Sequence, residues 1–326
     1  MQALMILGVS SSLTSCQDIL GEWDKPTPTV TPPSTDSDES SDTYRVYTAT
    51  NTYTPEAIGD ATPLSGAITG NLSGGKYVVR GTATCAGNLI FTGNAEIILC
   101  DGAELTVNGT IFGGEDGSGN PTYAYSLSIY GQESGTGALT VNSAGANYDI
   151  VVDNLEIHGG TITATNADQA IETGTDLIMY NGTLTTTGVY NGIEALGNMY
   201  VYGGKIVANA TNQETIGCGG VLSISAGEIS ATTASATAPA ISGLTVSITS
   251  GVEKISMTNT SVAGATTDNP TNFIAFGNTS TLTISGTDVS ANWINSNPIS
   301  LFLPSGANAI DGLSYNTAEK TLIYEP

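Results

Sequence analysis

Basic residues are scarce in this sequence. Lys and Arg number seven against 30 Asp and Glu, and charged residues of both signs make up only 11% of 326 residues. With a formal net charge of −23, the chain repels phosphate backbones and anionic lipid surfaces, so nucleic acid is excluded as a partner. The deficit also weighs against catalysis. A lyase acting on uronic acids needs a base, often Arg or Lys, yet residues 81–204 contain neither. Histidine occurs once, as His158. The four cysteines, Cys16, Cys85, Cys100 and Cys218, form no CxxC pair, which argues against zinc-binding and thioredoxin-type chemistry. Cys85 and Cys100 read either as a disulfide or as two buried thiols. No apolar run reaches the roughly 18 residues that a membrane-spanning helix needs.

Gly, Thr, Ser, Asn and aliphatics fill the space left by charge, a composition of strands and tight turns. A repeat organises them. Leu155-x-Ile157, Leu177-x-Met179, Met199-x-Val201, Leu222-x-Ile224 and Leu244-x-Val246 follow one another at spacings of 22, 22, 23 and 22. The first four are followed by a turn pair and a second apolar residue: Gly159-Gly160-x-Ile162, Asn181-Gly182-x-Leu184, Gly203-Gly204-x-Ile206 and Ala226-Gly227-x-Ile229. Ile171, Ile193, Ile216 and Ile241 supply a third apolar position. So constant a period predicts a solenoid. Strand alternation turns these residues inward, each with its neighbour two positions on; Cys218 falls in such a column beside Ala195. The predicted fold is all-β: a single-stranded right-handed parallel β-helix with three short strands per coil of about 22 residues. The gap from second to third strand varies (9, 9, 10 and 12), whereas first to second stays at 5. Variable turns on a rigid frame are the usual seat of binding.

The regular coils cover about residues 150–250. Residues 44–150 read as less regular coils, with a protruding loop at 113–120. Residues 247–326 read as a continuation and a C-terminal β cap, with strands at 255–257, 273–276, 282–284, 299–303 and 322–324; a separate small β domain is the alternative.

At the other end, residues 1–15 are a short apolar run closing on Leu13-Thr14-Ser15-Cys16. This resembles a bacterial lipoprotein signal peptide, which implies a lipidated Cys16, although no Lys or Arg precedes the run. Residues 16–43 hold Pro26, Pro28, Pro32, Pro33 and an acidic stretch at 36–42, so they read as a disordered tether ahead of a β-helix domain at 44–326. Cys16, the acids Asp18, Glu22 and Asp24, and the Pro-rich linker together resemble surface lipoproteins of Bacteroidetes-type bacteria. The resemblance implies a Gram-negative cell-surface or outer-membrane protein, touching the membrane only through the lipid. A monomer is expected.

Two sets of side chains are candidates for a site. His158, Tyr180 and Tyr202 occupy the outward column after the first strand, and Tyr130 holds the same local position in a coil whose register is open. Coils stack about 4.8 Å apart, so the rings line up. An exposed strip of this kind offers apolar faces to sugar rings and hydroxyls to their edges; the alternative is a ladder that packs on itself. Lys205, the one basic group inside the regular coils, is grouped with the strip. The second set is Glu172 and Glu194, stacked one coil apart, with Asp168, Asn191 and Glu214 in the preceding turns. Like charges about 5 Å apart repel by roughly 1–3 kcal/mol, so they must splay into solvent, share a proton or be bridged by a cation. An oxygen-only set suits Ca²⁺; the alternative is a solvated acidic edge. The two carboxylates could also meet a glycosidase separation of about 5–10 Å, without an evident cleft.

The unit Leu-x-Ile-x-Gly-Gly-x-Ile-x-Ala, with Asn191-Gly-Ile193, resembles the pectate-lyase-like, carbohydrate-binding β-helix family of bacterial surface proteins. The likeness covers roughly residues 150–250 well and 77–150 loosely. It implies a lyase-like fold that binds polysaccharide with calcium. The family's Asp-Gly-Ile turn stands here as Gln169-Ala-Ile171, Asn191-Gly-Ile193 and Glu214-Thr-Ile216, without its aspartates. His158-Gly159-Gly160 resembles a polygalacturonase segment whose companion Asp and Arg/Lys motifs are missing. The function expected is therefore non-catalytic polysaccharide binding on the outer face of the helix. A spacer or adhesin with protein partners comes second, and a lyase or glycosidase third.

Overall fold

The computed structural model describes residues 42–262, 269–277, 279–294 and 298–326. Cys16, the signal-like run and nearly all of the expected tether lie outside them. Asp42 and Thr43 already belong to the folded part: the Asp42 carbonyl accepts a hydrogen bond from the Ile58 amide at 2.8 Å, and its carboxylate pairs with Arg80 at 3.0 Å. The fold is a parallel β-solenoid of about eight turns, half strand and almost without helix.

Three parallel ladders run along it. The first stacks Leu155–Ile157, Leu177–Met179, Met199–Val201 and Val221–Ile224, with Leu155, Leu177, Met199 and Leu222 in register. The second aligns Ile162, Leu184, Ile206 and Ile229; the third aligns Ile171, Ile193, Ile216 and Ile241. These columns are buried as the alternation predicts, none above 1% exposed. Each such aliphatic contributes about 1.5–3 kcal/mol of burial before entropy is charged. The turn after the first strand needs glycine for two reasons. Gly160, Gly182, Gly204 and Gly227 all have φ between +79° and +96°, and a Cβ on Gly204 would sit 2.7 Å from the Gly182 carbonyl oxygen of the coil below. A polar residue just before each first strand ties the coils together. Asn154 Oδ1 accepts the Asp176 amide (3.2 Å), Asp176 Oδ1 the Asn198 amide (2.8 Å), and Asn198 Oδ1 the Val221 amide (2.9 Å).

The earlier segments are coils of the same solenoid. Tyr77, Ile97, Ile129 and Ile157 lie in one column, which puts Tyr130 one coil from His158. Cys85 and Cys100 are buried free thiols, so no disulfide joins them. Cys218 is half-buried against the core. Residues 115–120 protrude as expected, but the base of their loop closes on itself: Ala124 and Tyr125 both donate to the Gly113 carbonyl at 2.9 Å.

Two details of the C-terminal part differ from expectation. Leu222 pairs with Val246 and Ile224 with Ile248, leaving Leu244 53% exposed. Leu244, Val246 and Ile248 alternate, so two registers satisfy the apolar pattern, and filling the column above Ile224 selects the later one. Ile299–Leu301 is a 3-10 turn, not a strand, and carries Phe302 onto buried Trp293 (ring centroids 4.9 Å). Otherwise the coils continue through Leu282–Ile284. Thr321–Tyr324 then pairs antiparallel with the last second-ladder strand, Ile255 against Tyr324, and covers an edge that would otherwise be open. These pairings join the C-terminal strands directly to the coils before them.

Candidate functional site

Four rings stack on the column outside the first ladder. Tyr130 and His158 lie 4.6 Å apart at 13°, His158 and Tyr180 4.4 Å at 14°, Tyr180 and Tyr202 5.5 Å at 22°. The coil repeat imposes this spacing, because each residue stands at the same turn of successive coils. Part of the column is closed, however. A hairpin of Thr43–Tyr47 and Tyr53–Ala57 lies over it. Buried Tyr44 meets Tyr130 edge-on at 4.8 Å, and its hydroxyl accepts from Lys76 at 2.7 Å and donates to Glu56 at 3.0 Å. Gln132 Nε2 donates to the Thr43 carbonyl, and the Tyr47 amide donates to His158 Nδ1 at 3.1 Å. In the hairpin turn, Asn51 comes against bare Gly203, where a Cβ would be 3.3 Å from its Oδ1.

His158 is therefore not part of an exposed strip, at 4% exposure. Because Nδ1 accepts an amide, the ring proton sits on Nε2, which faces Glu156 Oε2 at 3.4 Å. His158 and Tyr130 act as ladder members that seat the hairpin. Tyr180 and Tyr202 remain half-buried, and Tyr200 joins them from the adjacent outward column, its ring 6.2 Å from Tyr202 and parallel within 2°. The sequence reading missed Tyr200, although the alternation Tyr200-Val201-Tyr202 turns both rings away from the core. Burial, with the charge of Glu156 next, raises the Tyr180 phenol above its usual range, so its hydroxyl stays neutral. Lys205 stands apart, on the outer face of the second ladder, and is held by Glu228 at 2.9 Å.

Glu172 and Glu194 do stack in register on the third ladder. Glu172 is only 6% exposed, and the loop described above brings Tyr123 over it, with the Tyr123 hydroxyl donating to Glu172 Oε1. Burial pushes the Glu172 carboxyl up to about 7, with the Glu194 charge adding to the shift. Burial also raises Glu194, helped by Glu214 and opposed by the Gln169 amide, which donates to its Oε2 at 2.6 Å. Asn191 is buried, its amide donating to the Glu214 carbonyl at 3.2 Å. Asp168 offers its backbone carbonyl to the Tyr190 amide. This donor set fits calcium poorly, because the Tyr123 hydroxyl and the Gln169 amide already bond the Glu172 and Glu194 carboxylates. Among the described residues no three His, Cys, Asp or Glu side chains converge as metal ligands. Tyr123 covers the Glu172 member of the pair.

Comparison with protein-family models, with curated proteins and with solved structures finds no match to this chain.

Proposed function

We propose that this chain is a lipid-anchored surface β-helix that binds polysaccharide without cleaving it, through Tyr180, Tyr200 and Tyr202. The observation that carries the reading is the parallel pair Tyr200 and Tyr202 beside the end of the ladder. Half-exposed phenols give one face both an apolar surface for the C–H side of a pyranose and hydroxyls for its edge. The anchor rests on the sequence alone: Leu13-Thr14-Ser15-Cys16 and the acidic, Pro-rich stretch after it. Calcium forms no part of the proposal. A glycan array probed with wild type and with Tyr200→Ala/Tyr202→Ala tests it. The expected result is a defined set of glycans whose signal falls at least tenfold in the variant, at unchanged circular dichroism. Equal signals from both proteins would sink it.

The spacer or adhesin reading is favoured by the hairpin, which uses up Tyr130 and His158 structurally. A pull-down that recovers a protein partner, together with an empty glycan array, would favour it.

A further inference from the structure

The turn between second and third strands, whose length varies along the chain, forms one wall of an open groove of about 840 Å³. Its floor is a column at the end of the second ladder. Asn142, Thr165 and Thr187 stand on three successive coils in register, and Thr211 extends the polar lining. The lining is kept low by Ala144 and Gly145 in the turn and by Ala167 and Gly188 at the strand ends. Gly188 cannot be larger, since a Cβ there would fall on the Asn191 carbonyl. Val189 completes the lining and is 44% exposed; the next residue in the chain, Tyr190, is 42% exposed, and the two are a neighbouring pair among the large hydrophobics left in solvent.

Among the described residues no Asp, Glu, Lys, Arg or His lines this groove, on a chain whose net charge is −23. The surrounding acidic field repels a polyanion, and no lining carboxylate attracts a polycation. Threonine hydroxyls and an asparagine amide can both donate and accept, which is what hydroxyl-rich ligands need. The spacing is suited as well. Coils repeat about every 4.8 Å, and an extended 1,4-linked pyranose chain advances by a similar length per sugar. Tyr190, next in the chain to the lining residue Val189, offers an exposed ring on which one sugar can stack.

We propose that the groove is a second binding site, for a neutral, extended polysaccharide laid along the solenoid axis with one sugar per coil. It rests on the glycan reading for the class of ligand but not on Tyr200 or Tyr202. Affinity electrophoresis in gels containing arabinoxylan, galactomannan, mixed-linkage β-glucan or polygalacturonate tests it. Four proteins are compared: wild type, Thr187→Tyr, which fills the groove from an exposed strand position, Tyr190→Ala, and Tyr200→Ala/Tyr202→Ala. The expected result is retardation by at least one neutral polymer, weakened at least tenfold by Thr187→Tyr and by Tyr190→Ala and retained in part by the Tyr200/Tyr202 variant. A fluorophore on Thr211→Cys in the otherwise unaltered chain should respond to the same polymer, so the conclusion does not depend on one variant folding. Retardation that only the Tyr200/Tyr202 variant loses overturns the groove and leaves the first site standing. Retardation by polygalacturonate alone also overturns it. No retardation of wild type by any polymer overturns both sites.

Discussion

A carboxyl that holds its proton to about pH 7 makes stability depend on pH. Glu172 ordinarily titrates near 4.5 and is pushed up to about 7 in the fold. Between these values the folded chain binds a proton that the unfolded chain releases, so stability is full below about 4.5 and is lost as pH rises through 7. The loss is on the order of 3 kcal/mol. Asp149, raised by burial to about 6, acts in the same direction at lower pH. Thermal unfolding of wild type should fall from pH 5 to pH 8, and Glu172→Gln, whose carbonyl can still accept from Tyr123, should flatten that slope. Parallel curves for the two proteins would show that Glu172 titrates normally. His158 gives a second test at this scale, because it is the chain's one histidine. Diethyl pyrocarbonate should modify it slowly in wild type and at least several-fold faster in Tyr44→Ala; equal rates would mean that the hairpin does not shield the ring. Neither feature could be read from the residues alone. His158 and Tyr180 were legible as a column because the repeat fixes their register. The cover over His158 comes from Tyr47, 111 positions away, and no periodicity encodes such a contact.

At the scale of the element, the solenoid turn is the most constrained piece. Gly204 combines a φ of +79° with contact to the Gly182 carbonyl, so Gly204→Ala should cost about 2–4 kcal/mol. Denaturant titration measures this directly, and a change below about 0.5 kcal/mol, the level of an ordinary surface site, would contradict it. The turn glycines and the inward aliphatics were legible because one requirement, coil on coil, selects both. Where two registers fit equally well, as at Leu244, Val246 and Ile248, the pattern could not choose, and packing above Ile224 did. The polar residues before the first strands (Asn154, Asp176 and Asn198) were present in the sequence at the same phase as the repeat. Their role emerged only from the bonds they make to the next coil.

Across residues 42–326, two traits shape behaviour: an acidic surface and a closed C-terminal edge. Thr321–Tyr324 covers the strand that ends the second ladder. Ending the chain after Gly286 should expose that edge and strip Trp293 and Phe302 from the core, giving aggregates by light scattering; a monomer with the wild-type Tm would show the cap to be dispensable. The acidic surface bears on function. A protein with net charge −23 and tyrosine, threonine and asparagine at its candidate sites should prefer neutral polymers, with affinity little changed by salt. The central claim is that this solenoid binds polysaccharide. Its most direct test is isothermal titration of residues 42–326 with the neutral polymers named above, at low salt and at about 0.5 M salt, where the Debye length is only a few ångströms. The account predicts saturable heat with at least one neutral polymer and nearly the same affinity at both salt concentrations. No heat with any of them, or binding that vanishes as salt is raised, would contradict it.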